Sequence, residues 1–106
     1  MPYDEDLANR LRELLADEQA VTEKRMFGGL AFLVGGHLAV AASHTGGLLA
    51  RVDPEDADAA LQRPHTAPME MRGRTMPGWI MVAPEGDLEP WVEQSLAYVK
   101  SLPPKT

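Results

Sequence analysis

The sequence predicts an α+β fold: an antiparallel β-sheet meander with N-terminal, middle and C-terminal helices, in the approximate order α-β(3–4)-α-β(1–2)-α. Three observations predict it. Leucines recur at helical spacing near the N-terminus, two apolar runs are separated only by Gly35-Gly36, and apolar residues again return at helical spacing between Asp87 and Pro103.

The first helix is expected over Asp4 to Asp17. Asp4, Glu5 and Asp6 stand at the positive end of its dipole, and Leu7, Leu11, Leu14 and Leu15 share one face. Val21 to Phe27 reads as a strand on which Val21, Glu23, Arg25 and Phe27 share a side, so that side is not uniformly buried. Leu30–Val34 and His37–Ala42 then form a hairpin, because a two-residue Gly-Gly loop supplies the positive φ angles of a tight turn. The expected pairs are Val34 with His37, Leu33 with Leu38, Phe32 with Ala39 and Ala31 with Val40. Leu33, Leu38, Ala31 and Val40 would line one side, and Leu30, Phe32, Val34 and Ala39 the other. With both faces apolar, the hairpin needs cover on both: helices on one, and a partner subunit or loop on the other. A homodimer is therefore expected.

Ser43 to Gly47 is a polar turn into a strand over Leu48–Val52. Asp53 as N-cap and Pro54 at the first helical position start a short helix running to about Gln62. Arg63 to Pro68 reads as a loop, Met69–Arg72 as a short edge strand, Gly73–Gly78 as a turn region and Trp79–Ala83 as a strand. After the break at Pro84-Glu85-Gly86, Asp87 caps a helix whose packing stripe is Leu88, Val92, Ser95, Leu96 and Val99, ended by Pro103-Pro104.

At 106 residues the chain is expected to be one domain, residues 1–106. The absence of cysteine removes disulfides, thiolate catalysis and zinc ribbons. A net charge of −6 argues against direct nucleic-acid binding, although Lys24, Arg25, Arg51, Arg72 and Arg74 concentrate cations in mid-chain. No stretch is long and apolar enough to span a membrane and no basic-then-apolar leader opens the chain, so a cytoplasmic protein is expected.

Candidate binding residues are Arg25, Arg51, Arg72, Arg74 and Trp79. Arg25 offers a planar fork to a carboxylate, a phosphate or a partner backbone, or else pairs internally with Glu23 or a helix carboxylate. Arg72, Arg74 and Trp79 around Gly78 can combine charge with a stacking surface. Met26 and Phe27 read as packing residues. Gly28 and Gly29 read as conformational, with a positive φ expected at Gly29, and Gly35, Gly36 and Gly78 are assigned to turns. The spacing of His37, His44 and His65 lacks the pattern of a helical metal site. No serine lies in a nucleophile elbow, so neither a catalytic residue nor a cofactor is assigned.

The segment Val21-Thr22-Glu23-Lys24-Arg25-Met26-Phe27-Gly28-Gly29-Leu30-Ala31-Phe32 resembles the hallmark of the TfoX/Sxy N-terminal domain family. The likeness continues through Leu49-Ala50-Arg51-Val52, the acidic short helix, Pro68-Met69, Gly73-Arg74-Thr75-Met76-Pro77-Gly78-Trp79 and the closing helix from Trp91 to Pro104. The resemblance implies helices on an antiparallel sheet, as in small dimeric secretion-chaperone-like domains. It also implies a regulatory role, since the best-known relatives control natural competence together with a cyclic-AMP-responsive transcription activator. Those relatives carry a second, C-terminal domain, and this chain is expected to be the stand-alone N-terminal one. The function that follows is a non-enzymatic bacterial regulatory or adaptor domain with a transcription-related protein partner. The alternative is a small-molecule or nucleotide-binding domain, or an enzyme, with Arg25, Arg51, Arg72 and Arg74 around a cleft; direct DNA binding is a third, weaker reading.

Overall fold

A computed structural model describes residues 3–26, 28–44, 46–71 and 73–103. Its elements are α1 (Glu5–Leu14), β1 (Val21–Met26), β2 (Gly29–Val34), β3 (His37–Ala42), β4 (Leu48–Arg51), a 3-10 turn (Pro54–Asp56) leading into α2 (Ala57–Leu61), β5 (Thr66–Met71), β6 (Arg74–Val82) and α3 (Leu88–Lys100). The six strands form one sheet in the order β1-β2-β3-β4-β6-β5, and every neighbouring pair is antiparallel. The predicted α+β class and the order of helices and strands are observed.

Asp4 caps α1 by accepting from the amides of Asp6 and Leu7, which satisfies donors that the first helical turn leaves free. The helix ends at Leu14, short of the expected Asp17, because the chain tightens into single turns once Leu15 has been buried. Asp53 caps the 3-10 turn through the Glu55 amide, with Pro54 at its first position, as expected. Asp87 holds the N-cap position of α3 but makes no side-chain cap hydrogen bond.

Gly35 and Gly36 take φ of +59° and +84°, the left-handed pair that a tight hairpin needs. The hairpin starts as predicted, with Val34 opposite His37 and Leu33 opposite Leu38, and then departs. A bulge passes over Ala39, so Phe32 pairs with Val40, Ala31 with Ala41 and Leu30 with Ala42. Val40 thereby turns to the helix side with Phe32, correcting the expected face. The extra residue fits because Ala39 adds only a methyl group, which is buried beside Val99 of α3.

Two strands are longer than the sequence suggested. β5 begins at Thr66 rather than Met69, since Pro68 is tolerated on an edge strand whose outward amide needs no partner. β6 begins at Arg74 rather than Trp79: its first residues pair with β5 beyond the end of β4, and the register jumps between Pro68 and Glu70. Pro77 falls in that jump, where a missing amide breaks no ladder. β4 ends at Arg51, one residue short of the prediction, although the Val52 amide still donates to the Gly78 carbonyl at 2.7 Å.

The helices lie on one face of the sheet. Leu7, Leu11 and Leu15 of the N-terminal segment and Trp91 and Val92 of α3 pack with Leu30, Phe32, Val40, Leu48, Ile80 and Val82. Each such large apolar side chain contributes roughly 1.5–3 kcal/mol when withdrawn from water. Arg63 closes the rim of this core, its guanidinium 3.5 Å from the centre of the Trp91 ring and donating to Gln94 Oε1 at 2.6 Å.

Candidate functional site

Among the described residues, no helix contributes to the apolar cluster on the opposite face of the sheet. Strand alternation places Ala31 and Leu33 of β2, Leu38 and Ala41 of β3, Leu49 of β4, and Trp79 and Met81 of β6 on this side, with Met26 and Met69 contributed by the two edge strands. Small residues form its floor: Ala31 is 0% and Ala41 6% exposed, sheltered by the longer side chains around them. Leu33, Trp79 and Met81 are half-buried, so the chain presents an apolar surface here. Towards one end the surface deepens into a pocket of about 210 Å³ lined by Met26, Ala41, Leu49, Met69 and Met81, with His44 and Glu70 at the rim.

Arg51 and Trp79 are direct partners across β4 and β6. The Arg51 guanidinium carbon lies 5.2 Å from the Trp79 ring centre and 5.5 Å from that of Tyr98 on α3. Both distances fall within cation–π range. Among the described residues Arg51 has no carboxylate partner. Lys24, which is exposed, joins the same face because it pairs with Ala31, and it too lacks a carboxylate partner among the described residues, whereas Arg51 is half-buried.

The other predicted binding residues are not gathered here. Arg25 pairs with Leu30, a helix-face residue, so its exposed side chain lies across the sheet from Arg51. It does not pair with Glu23: that carboxylate takes two hydrogen bonds of 2.8 Å from Arg12 on α1, which hold its pKa below the ordinary value. Arg74 is exposed at the far end of β6, paired with Met71. Arg72 and Phe27 lie outside the described residues.

Each glycine of the motif has its own reason. Gly28 is left-handed, at φ +77°. Gly29 is not, which corrects the expectation there: a Cβ at Gly29 would overlap the Ala42 carbonyl oxygen, so close approach is what demands glycine. Gly78 combines both conditions, with φ +81° and a Cβ position 2.6 Å from the Val52 carbonyl oxygen. Met26 packs, partly buried, beside the open-face cluster.

A second cavity of about 460 Å³ lies between the α1–β1 loop and the end of α3, lined in part by Glu18, His37 and Lys100. Three of its polar side chains are engaged internally, Lys100 pairing with Glu18 at 2.8 Å and His37 Nε2 meeting the Pro103 carbonyl oxygen at 2.5 Å. The three histidines stand apart: His37 at the hairpin, His44 at the pocket rim, and exposed His65 before β5.

Tyr98, Leu49, Met69 and Met81 were not singled out for binding by the sequence. Tyr98 falls off the apolar stripe of α3, and the others become neighbours only once β6 is inserted beside β4. The family model of the TfoX N-terminal domain matches residues 13–98 of the 106-residue chain. No curated protein and no solved structure gives a match.

Proposed function

Because the chain belongs to the TfoX N-terminal domain family, we propose that it is a cytoplasmic, non-enzymatic regulatory adaptor that holds a transcription-related protein partner on the open face of its sheet. The observation that carries this reading is the open apolar face, whose half-buried Leu33, Trp79 and Met81 surround a floor of small residues. Surfaces of this kind on a small soluble domain are characteristic of sites where another molecule supplies the missing cover. Direct nucleic-acid binding is not part of the proposal, since the chain carries a net charge of −6.

The test is affinity purification of the tagged full chain from its native host, run in parallel with Leu33→Glu, which places a charge on the open face. Arg25→Glu, on the helix side, is the control. Recovery of a transcription factor or polymerase component by the wild type and the control, with loss in Leu33→Glu, is the expected result. Stabilisation by a metabolite in the absence of any such partner would refute the adaptor reading.

A second occupant is suggested by the same apolar face, namely another copy of the chain. Light scattering that finds a dimer across the micromolar range, dissociated by Leu33→Glu, would assign the face to self-association.

A further inference from the structure

The distribution of charge narrows the chemistry of the partner. The chain has sixteen acidic and ten basic residues, and several cations on the helix side are matched by acids: Arg10 with Glu13 and Glu89, Arg12 with Glu23, and Lys100 with Glu18. On the open face the balance inverts. Arg51 and Lys24 have no carboxylate partner among the described residues, and the acid nearest the pocket, Glu70, stands exposed at its rim. Stacking against Trp79 and Tyr98 engages the guanidinium without using its N–H groups, which take no acceptor among the described residues. A planar guanidinium braced by rings with its donors free is well formed to receive a carboxylate.

The pocket adds the second half of the recognition. At about 210 Å³ it falls below the roughly 300–1,000 Å³ of small-molecule sites, and its lining of Met26, Leu49, Met69 and Met81 is flexible and apolar. It suits a buried side chain better than a metabolite. Leu49 and Arg51 are two residues apart on the same face of β4, hence about 7 Å apart along the strand. An extended segment laid along β4 repeats that spacing between its own residues i and i+2.

Resting on the adaptor reading, we infer that the open face selects an extended acidic segment in which an aliphatic residue and a carboxylate stand two residues apart. The aliphatic side chain enters the Met26–Leu49–Met69–Met81 pocket, and the carboxylate meets the N–H edge of Arg51. Two copies docked open face to open face would leave Arg51 and Lys24 facing cations where an acidic segment supplies carboxylates.

The test is selection of nonamer peptides from a random display library on the immobilised full chain, followed by titration of an enriched peptide by calorimetry. Enriched sequences are expected to carry Leu, Ile, Val or Met two positions from Asp or Glu. Arg51→Gln should weaken binding about tenfold or more, the size of a lost charge-assisted hydrogen bond, while Arg51→Lys retains part of it. Should Arg51→Gln not fold, exchanging the peptide's acid for its amide (Asp for Asn, Glu for Gln) against the wild-type protein probes the same interaction and should produce a loss of similar size. Enrichment without an acid, or acid dependence that survives Arg51→Gln in a folded variant, overturns the inference and leaves the adaptor reading standing. If no peptide is enriched, or if Leu33→Glu leaves peptide binding unchanged, the assignment of the open face fails with it.

Discussion

Gly78→Ala is expected to be strongly destabilising, because two separate costs meet at that residue. The residue holds φ +81°, and the left-handed conformation costs an L-residue roughly 1–2 kcal/mol. The added Cβ would also stand 2.6 Å from the Val52 carbonyl oxygen and 3.3 Å from Pro54 Cγ. Neither neighbour can yield freely, because the Val52 amide is tied to the Gly78 carbonyl at 2.7 Å and Pro54 opens the capped 3-10 turn. Overpacking of this kind costs about 1–3 kcal/mol, so the combined loss should be about 2–5 kcal/mol. Out of a total of roughly 5–15 kcal/mol for a small domain, that is a large fraction. Two other glycines separate the contributions. Gly28→Ala meets only the conformational cost, since its Cβ lies at an ordinary 3.4 Å from His44, whereas Gly29→Ala meets only the steric one, against the Ala42 carbonyl. Urea denaturation of the three variants, followed by far-ultraviolet circular dichroism, measures each cost. A Gly78→Ala variant no less stable than Gly28→Ala would refute the reasoning.

Ser95 is fully buried on α3 and its hydroxyl oxygen has no hydrogen-bond partner among the described residues, so Ser95→Ala should stabilise the fold by about 1 kcal/mol; a drop in urea midpoint would show that the hydroxyl has a partner. Arg63→Ala should cost about 1 kcal/mol through loss of the cation–π contact with Trp91, and an unchanged midpoint would mean that the stacking contributes nothing. Arg12 lowers the pKa of Glu23 in the folded chain, so the pair's contribution is complete above the carboxylate's unfolded value and fades as pH falls through the lowered folded one. Both side chains are well exposed and the effect should stay within about 1 kcal/mol, but the stability gap between wild type and Glu23→Gln should shrink from pH 7 to pH 3, and a constant gap would refute it.

The β2–β3 hairpin and the three helices were legible because each is announced by residues with few alternatives: Gly35-Gly36 at a turn needing positive φ, Asp4 and Asp53 at caps, and leucines in a stripe. The bulge at Ala39 was not legible. From Leu38 to Ala42 the strand contains no polar residue, so slipping by one position violates no pattern that can be read in advance. Pro68 hid the start of β5, and Gly73, Pro77 and Gly78 hid the first half of β6, because the signals of a turn also suit an edge strand and an irregular register. At the site, Arg51 and Trp79 could be named as chemically apt, but their adjacency depends on a pairing between strands separated by α2 and β5. Residue types reveal capacity, and only the strand order supplies the neighbours.

Insertion of β6 between β4 and β5 divides the sheet into two pieces, each wired by short-range contacts: the β1–β4 meander and the β5–β6 hairpin. They are stitched together by the four pairs from Leu48–Val82 to Arg51–Trp79. This junction is a natural boundary for partial unfolding, in which one cooperative piece separates while the other persists. The apolar pocket straddles it, with Ala41 and Leu49 on one bank and Met69 and Met81 on the other. Anything seated there binds only the closed arrangement, so occupancy and sub-global opening become linked equilibria, and slowed amide exchange along β4 and β6 would report the visitor without any label on it.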